Sequence, residues 1–361
     1  MSSENRATIT DVAKAAGVAV GTVSRVFNNH ADVNAEIREH VLTTARKLGY
    51  TRLRQRKRGT ESSPAAPRHG NIGIVIFGME DTLVQLPVVS SALQGIEHEL
   101  STLGWNLMLA NIPNGNRVPP FLAERRVEGL ILKGPNQGTL PREGENELLR
   151  HIYALPHIWL MGRISGARGD HCNFDTAAAG RLAAQHLAEK GHRRVAFLNP
   201  KPGQNQFESV KASFLVYCER LGLHTSLLEI EPPGQLTWPL PATTYQSNVD
   251  QLIADWHALP VKSRPTALFV PSDRTATQVY TALERRKLKP GTDVSIVSCN
   301  NEKSLLANLE PGLTTIDVHA EIIGRRAVDQ LLWRIQNLDD LHPLQILVEP
   351  TLVERGSVAK L

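Results

Sequence analysis

Residues 8–50, TITDVAKAAGVAVGTVSRVFNNHADVNAEIREHVLTTARKLGY, decide the fold at the start of this chain. Ile9, Val12, Ala13 and Ala16 recur at helical spacing and predict a short amphipathic helix. Gly17 and Val18 then read as a tight turn, because glycine tolerates the left-handed backbone such a turn needs. A second helix is expected over about Val20 to Phe27, with Val23, Val26 and Phe27 inward and Val20, Gly21, Thr22, Ser24 and Arg25 outward or flanking. A third starts at the N-capping Asn34 and runs through Ile37, Val41, Leu42, Ala45 and Leu48 to Gly49. Two helices joined by a glycine turn and braced by a third make a helix-turn-helix, whose second helix enters the major groove. A small helical bundle that binds no DNA is the competing reading. Arg25 is the strongest candidate for base readout, since its planar fork matches guanine O6 and N7. Thr22, Ser24 and Asn28 are small polar groups suited to phosphate oxygens, which fix register without reading sequence.

The run Thr10-Asp11-Val12-Ala13, Ala16-Gly17-Val18, Thr22-Val23-Ser24-Arg25-Val26, Asn28 and Leu48-Gly49-Tyr50 closely resembles the headpiece of the lac-repressor-like (LacI/GalR) bacterial regulators. The resemblance implies that Val20 and Gly21 face the central bases of a half-site, and it adds Thr10 and Tyr50 to the candidate DNA contacts. The chain departs from the family twice here. Ala19 stands where the family has a capping Ser, which predicts a loss of about 1 kcal/mol at that helix start. After Tyr50 the family continues with Pro-Asn and a hinge helix, whereas this chain has TRLRQRKRGT. Leu53 is then a displaced minor-groove wedge, or Arg52, Arg54 and Arg56 belong to a flexible basic arm along the backbone; the arm is preferred.

Charge agrees with that division. Residues 1–60 hold eleven Lys/Arg against five Asp/Glu, a charge of +6, while all 361 residues sum to +4. Basic charge is therefore concentrated where phosphate would be neutralised. Three widely spaced cysteines, Cys172, Cys218 and Cys299, match no metal spacing and read as thiols. No apolar run reaches membrane-spanning length and MSSENRATIT lacks signal-peptide character, so a soluble cytoplasmic protein with no membrane partner is expected.

Residues 71–361 alternate apolar strands with amphipathic helices, and near-continuous apolar runs mark parallel strands buried on both faces. Strands are expected at 72–77, 106–111, 129–133, 157–161, 195–199, 226–231, 267–271 and 294–299, with Gly104, Gly191 and Gly222 closing helices. Gln94-Gly95-Ile96-Glu97, Val127-Glu128-Gly129, Leu313-Thr314-Thr315-Ile316 and Ile323 to Leu332 resemble the effector-binding core of the same family, which is similar to periplasmic sugar-binding proteins. The expected fold is an all-α headpiece (1–58, including the basic hinge segment), a linker (59–70) and an α/β core (71–361) of two doubly wound parallel-sheet subdomains. The N-subdomain is expected at about 71–190 and 317–340, and the C-subdomain at about 193–315 and 341–361.

In such a core the resemblance places ligands in the cleft outside the strand ends. It makes Asp175, Ser272 and Asp273 candidate effector contacts, with Asn300 and Asn301 as further ones. Helix N-capping is the alternative role for either aspartate. The family's ligand-gripping Arg is replaced by Val210, with Lys211 beside it, and Asp317 is followed by Val318. A sugar held differently, a less polar or differently charged effector, and no effector at all remain open. The chain has no His-Glu-x-x-His, no Gly-x-Ser-x-Gly and no Gly-x-Gly-x-x-Gly after the first strand, so neither an enzyme, a metal site nor a nucleotide cofactor is expected. The expected protein is a homodimeric repressor of carbohydrate-related genes, reading a pseudo-palindromic double-stranded operator under a small-molecule effector.

Overall fold

The computed structural model describes residues 8–27, 33–48, 50, 70–77, 87–112, 117–162, 164–231, 234, 236–239 and 248–361. It divides into two compact units, Met1–Ala66 and Pro67–Leu361.

The first unit holds α1 (Ile9–Ala15), α2 (Val20–Phe27) and α3 (Ala35–Lys47). Thr8 and Asp11 form a reciprocal capping box at α1, with the Thr8 amide donating to Asp11 Oδ2 at 2.8 Å and the Asp11 amide to Thr8 Oγ1 at 3.3 Å. Gly17 ends α1 at φ 63°, and the Val18 amide donates back to the Ala13 carbonyl at 3.1 Å. That left-handed cap turns the chain into α2. Asn34 caps α3 by accepting from the Glu36 amide at 2.9 Å, as its position predicts. The core is Val12, Ala13, Ala16, Val23, Val26, Val41 and Ala45, and the ring of Tyr50 meets Phe27 edge-on at 5.4 Å.

The second unit runs β1 (Asn71–Phe77), α4 (Pro87–Thr102), β2 (Asn106–Ile112), α5 (Pro120–Ala123), β3 (Gly129–Lys133), α6 (Glu147–Tyr153), β4 (His157–Leu160), β5 (Asp170–Phe174) and α7 (Thr176–Glu189). It continues through β6 (Arg194–Asn199), α8 (Asn205–Arg220), β7 (His224–Glu229), α9 (Val249–Ala258), β8 (Ala267–Phe269), α10 (Asp273–Arg285), β9 (Ser295–Asn300), α11 (Lys303–Leu306) and β10 (Thr314–Asp317). It closes with α12 (Ala320–Gln336), β11 (Gln345–Val348) and β12 (Thr351–Val353). The strands form two six-stranded sheets, β11-β5-β4-β3-β1-β2 and β12-β10-β9-β8-β6-β7. Every pairing is parallel except β12 against β10.

The expected subdomain limits need correction at all three crossings. α7 packs on α8, β10 and β12, so the chain leaves the first sheet directly after β5 rather than at 190–193. β10 lies wholly in the second sheet, so the chain crosses after Asp317 rather than within 315–317. The third crossing falls at 349–350 instead of about 340, because β11 still pairs with β5 of the first sheet. A buried ion pair returns the chain there. Arg334 binds Asp170 at 2.6 Å, and Asp170 also accepts from Gln330 and from the Leu344 amide at 2.8 Å each. The polar loop 337–344 is thereby tied to the edge of β5.

α4 and α12 cross at two glycines. A Cβ on Gly95 would lie 2.0 Å from the Glu321 carbonyl oxygen, and one on Gly324 would lie 2.1 Å from that of Ala92. This close approach explains why the Gln94-Gly95 and Ile323-Gly324 runs are landmarks in the sequence.

Candidate DNA-reading face and effector cleft

In α2, Val23 and Val26 are buried, while Val20, Gly21 and Arg25 are exposed and Thr22 and Ser24 half-buried, as the helical period predicts. The Ala19 carbonyl accepts from the Thr22 and Val23 amides at 2.9 and 3.2 Å, but alanine offers no side-chain acceptor to the first turn. The leading amides of α2 are thus left for an anion such as a phosphate. Nothing lies within 4 Å of a Cβ built on Gly21, so a base edge can approach its backbone. Thr10 is exposed on α1. Tyr50 is half-buried, its ring in the three-helix core. Asn28, Arg52, Leu53, Arg54 and Arg56 lie outside the described residues, as does the expected linker apart from Gly70.

In the second unit, loops at the carboxyl ends of both sheets face each other, the position where open α/β sheets bind ligands. After β3, the Asn136 carbonyl accepts the Asn205 amide at 2.9 Å, and Gln137 Nε2 donates to the Pro202 carbonyl at 3.1 Å. Gln206 donates to Asn173 at 2.8 Å, and the Val88 amide, in the first turn of α4, donates to Glu302 Oε1 at 3.2 Å. Residues 236–239, beyond β7, reach the N-subdomain too. The Thr139 amide bonds the Leu236 carbonyl, the Trp238 amide bonds the Thr139 carbonyl, and the Trp238 ring meets Phe77 at 5.2 Å.

The expected effector ligands serve the fold more than the cleft. Asp175 caps α7 with Oδ1, accepting from the Ala177 and Ala178 amides at 2.8 and 3.0 Å, which is its alternative role. Ser272 caps α10. Asp273 is 0% exposed, with Oδ1 accepting from Ser298 and Thr315 and Oδ2 from the Glu302 amide, so both oxygens already serve protein donors. Burial pushes this carboxyl up to about 6 against the pull of those donors. A short acidic residue at the start of a helix satisfies the same sequence pattern whether it points into the cleft or beneath its wall. Asn301 is held between Asp317 and Arg355 at 2.8 Å each, and the side chain of the half-buried Asn300 makes a 3.4 Å bond to Glu302. Both asparagines have positive φ, 116° and 55°, and such conformations gather at functional sites.

Two residues escape the sequence pattern. Glu302 is 7% exposed, its Oε2 has no hydrogen-bond partner among the described residues, and burial with the neighbouring Asp273 charge pushes it up to about 7. Lys133, 4% exposed at the end of β3, donates to the Gly134 carbonyl and to Asn136, and burial pushes its amine down to about 8. A cation ending the buried run Gly-Leu-Ile-Leu-Lys is the signal that could have found it. Val210 lies in the core, while Lys211 pairs with Glu208 and Glu229 at 2.6 and 2.7 Å. Trp159 and Trp238 are buried, and Trp159 donates to the Arg168 carbonyl.

Residues 8–52 match the bacterial regulatory proteins of the lacI family, and residues 184–358 match a periplasmic binding protein-like domain. The chain belongs to the lacI family. Curated relatives of this lacI-family chain are transcriptional repressors, which are not enzymes. It is 27% identical to the ribose operon repressor of Escherichia coli strain K12, over 97% of this chain and 99% of that one. It is 28% identical to the HTH-type transcriptional repressor PurR of Erwinia tasmaniensis, over 98% and 97%. Its fold is that of the Lac repressor dimer bound to operator and the anti-inducer ONPF (TM-score 0.62, 24% identity, 98% of this chain and 100% of that one). A complex of the transcriptional regulator CelR with cellobiose is similarly close (TM-score 0.63, 23% identity, 98% and 100%). Among the described residues of this lacI-family repressor, no helix is long and apolar enough to cross a membrane.

Proposed function

We propose that this repressor binds a pseudo-palindromic operator as a homodimer and is controlled by a polar small molecule held between its two core subdomains. The observation that carries the DNA half is α2 itself, whose buried side is Val23 and Val26 and whose opposite side offers Val20, Gly21, Thr22, Ser24 and Arg25. Arg25 reads a guanine, Val20 touches a thymine methyl, and Thr10, Thr22 and Ser24 serve phosphates. One headpiece reads too few bases for a genome, and two on a two-fold axis read half-sites about one helical turn apart. For the cleft, the facing strand-end loops and the two positive-φ asparagines support a ligand site. The relative named for a ribose operon supports a carbohydrate-related one.

Selection of bound sites from a random duplex library with the full-length protein tests this. A palindrome should emerge, and Arg25→Ala should cost about 1–3 kcal/mol of affinity and relax one base position. Weak, steeply salt-dependent binding with no enriched site would sink the operator reading.

A further inference from the structure

We infer that the effector carries an anionic group, a carboxylate or a phosphate, which the ammonium of Lys133 receives at the N-subdomain wall of the cleft; this rests on the proposed effector site. Lys133 closes β3, near the middle of the first sheet, at the end where the loops of the two subdomains meet. Two of its three N–H groups are used, on the Gly134 carbonyl at 2.9 Å and Asn136 Oδ1 at 2.7 Å, and both acceptors are neutral. Among the described residues no carboxylate pairs with it, and burial alone accounts for its lowered amine. Lys211 shows how this same core treats a lysine with a structural role, since two carboxylates answer it and its amine is raised. A buried ammonium without a counter-charge is costly, and such groups concentrate where a ligand supplies the missing charge.

The opposite wall fixes the rest of the ligand. Glu302 is buried there with Oε2 unpartnered among the described residues, and Asp273 lies behind it. Carboxylates repel an anion and accept from hydroxyls, so the charged end belongs at Lys133 and a hydroxylated end at Glu302. That describes a sugar acid or a sugar phosphate. Asn136, which shares the ammonium, also holds the Asn205 amide of the C-subdomain through its carbonyl. An anion drawn to Lys133 therefore acts on the joint between the subdomains.

Calorimetric titration and thermal melting of the full-length protein test this, with glucose, gluconate, glucuronate and glucose 6-phosphate, and with ribose and ribose 5-phosphate. At least one anionic probe should bind about tenfold or more tighter than its neutral parent. The carboxylate and phosphate arms separate the two sources of charge. Lys133→Met should erase the preference and Lys133→Arg should keep most of it. Unliganded Lys133→Met should melt at or above the wild-type temperature, since it removes a buried charge that no carboxylate among the described residues answers. A neutral sugar bound as tightly as its acid, a preference that survives Lys133→Met, or a Lys133→Met protein melting well below wild type would each overturn the anionic assignment alone. Silence from every probe, with operator binding intact, overturns the effector reading and this proposal with it.

Discussion

Asp273 and Glu302 sit one behind the other at the wall of the cleft, and their burial sets different demands on the protein. Asp273 accepts three protein donors, so Asp273→Ala leaves Ser298, Thr315 and the Glu302 amide without their acceptor. The expected loss is on the order of 1–3 kcal/mol, read from the denaturant midpoint at unchanged slope. Glu302, raised like Asp273, differs in that its Oε2 meets no donor among the described residues. Its carboxyl is raised from 4.5 to about 7, so the folded state holds a proton that the unfolded state has already released. Stability tied to this group is complete at acid pH and falls as pH rises through that window. His186 and His192, both lowered by burial, push the total the other way below neutrality, so the difference between variant and wild type is the quantity to read. Glu302→Gln should gain on wild type between about pH 4.5 and pH 7 and level off above it, and a flat difference in melting temperature across that window would refute the assignment. From sequence, Ser272-Asp273 and Asn300-Asn301 can be placed at strand ends, but not on which side of the wall each group points. That depends on Ser298 and Thr315, which come from two other strands, and no local pattern reports them.

Helices are more legible than strands, for a reason visible in α4 and α12. Their apolar spacing and their glycines lie within single runs of sequence, and the close crossing makes both glycines obligatory. Gly324→Ala drives a methyl into the Ala92 carbonyl, which is backbone and cannot swing aside. The expected cost is about 1–3 kcal/mol or more, seen as a lowered melting temperature of the core. α2 offers the reverse experiment. Ala19 leaves its first turn without a side-chain acceptor, so Ala19→Ser should slow amide exchange at Gly21 and raise operator affinity, with a gain of about 1 kcal/mol in the helix. The strands that the apolar pattern misses are β5, β10, β11 and β12. β5, Asp-His-Cys-Asn-Phe, is not a continuous apolar run, because Asp170 is spent on Arg334 and Asn173 on Gln206. β11 alternates exposed and half-buried residues at a sheet edge, a weak signal beside the fully buried centre. Their positions come from long-range partners, which is why the third crossing lies later than the sequence suggests.

The two units differ in how much core each can defend. Among its described residues the headpiece buries seven small or β-branched side chains, and domains of this size are marginal. The second unit behaves as one body despite its two sheets, since Ile72, Ile131 and Ile158 of the first and Phe197, Phe269 and Val297 of the second belong to one contiguous buried cluster. α7 and α8 pack tightly on one another over the second sheet, with Gly180 so close to the Phe214 amide that a Cβ would stand 2.5 Å from it. The subdomains should therefore unfold together, and the headpiece before them. Scanning calorimetry of the full-length protein should show a small early transition and one large late one. A chain of residues 67–361 should keep only the late transition, at the same temperature, along with any ligand-induced shift, and should bind no operator. Two separate late transitions would mean that the shared cluster does not couple the subdomains, and that a ligand in the cleft acts on one of them alone.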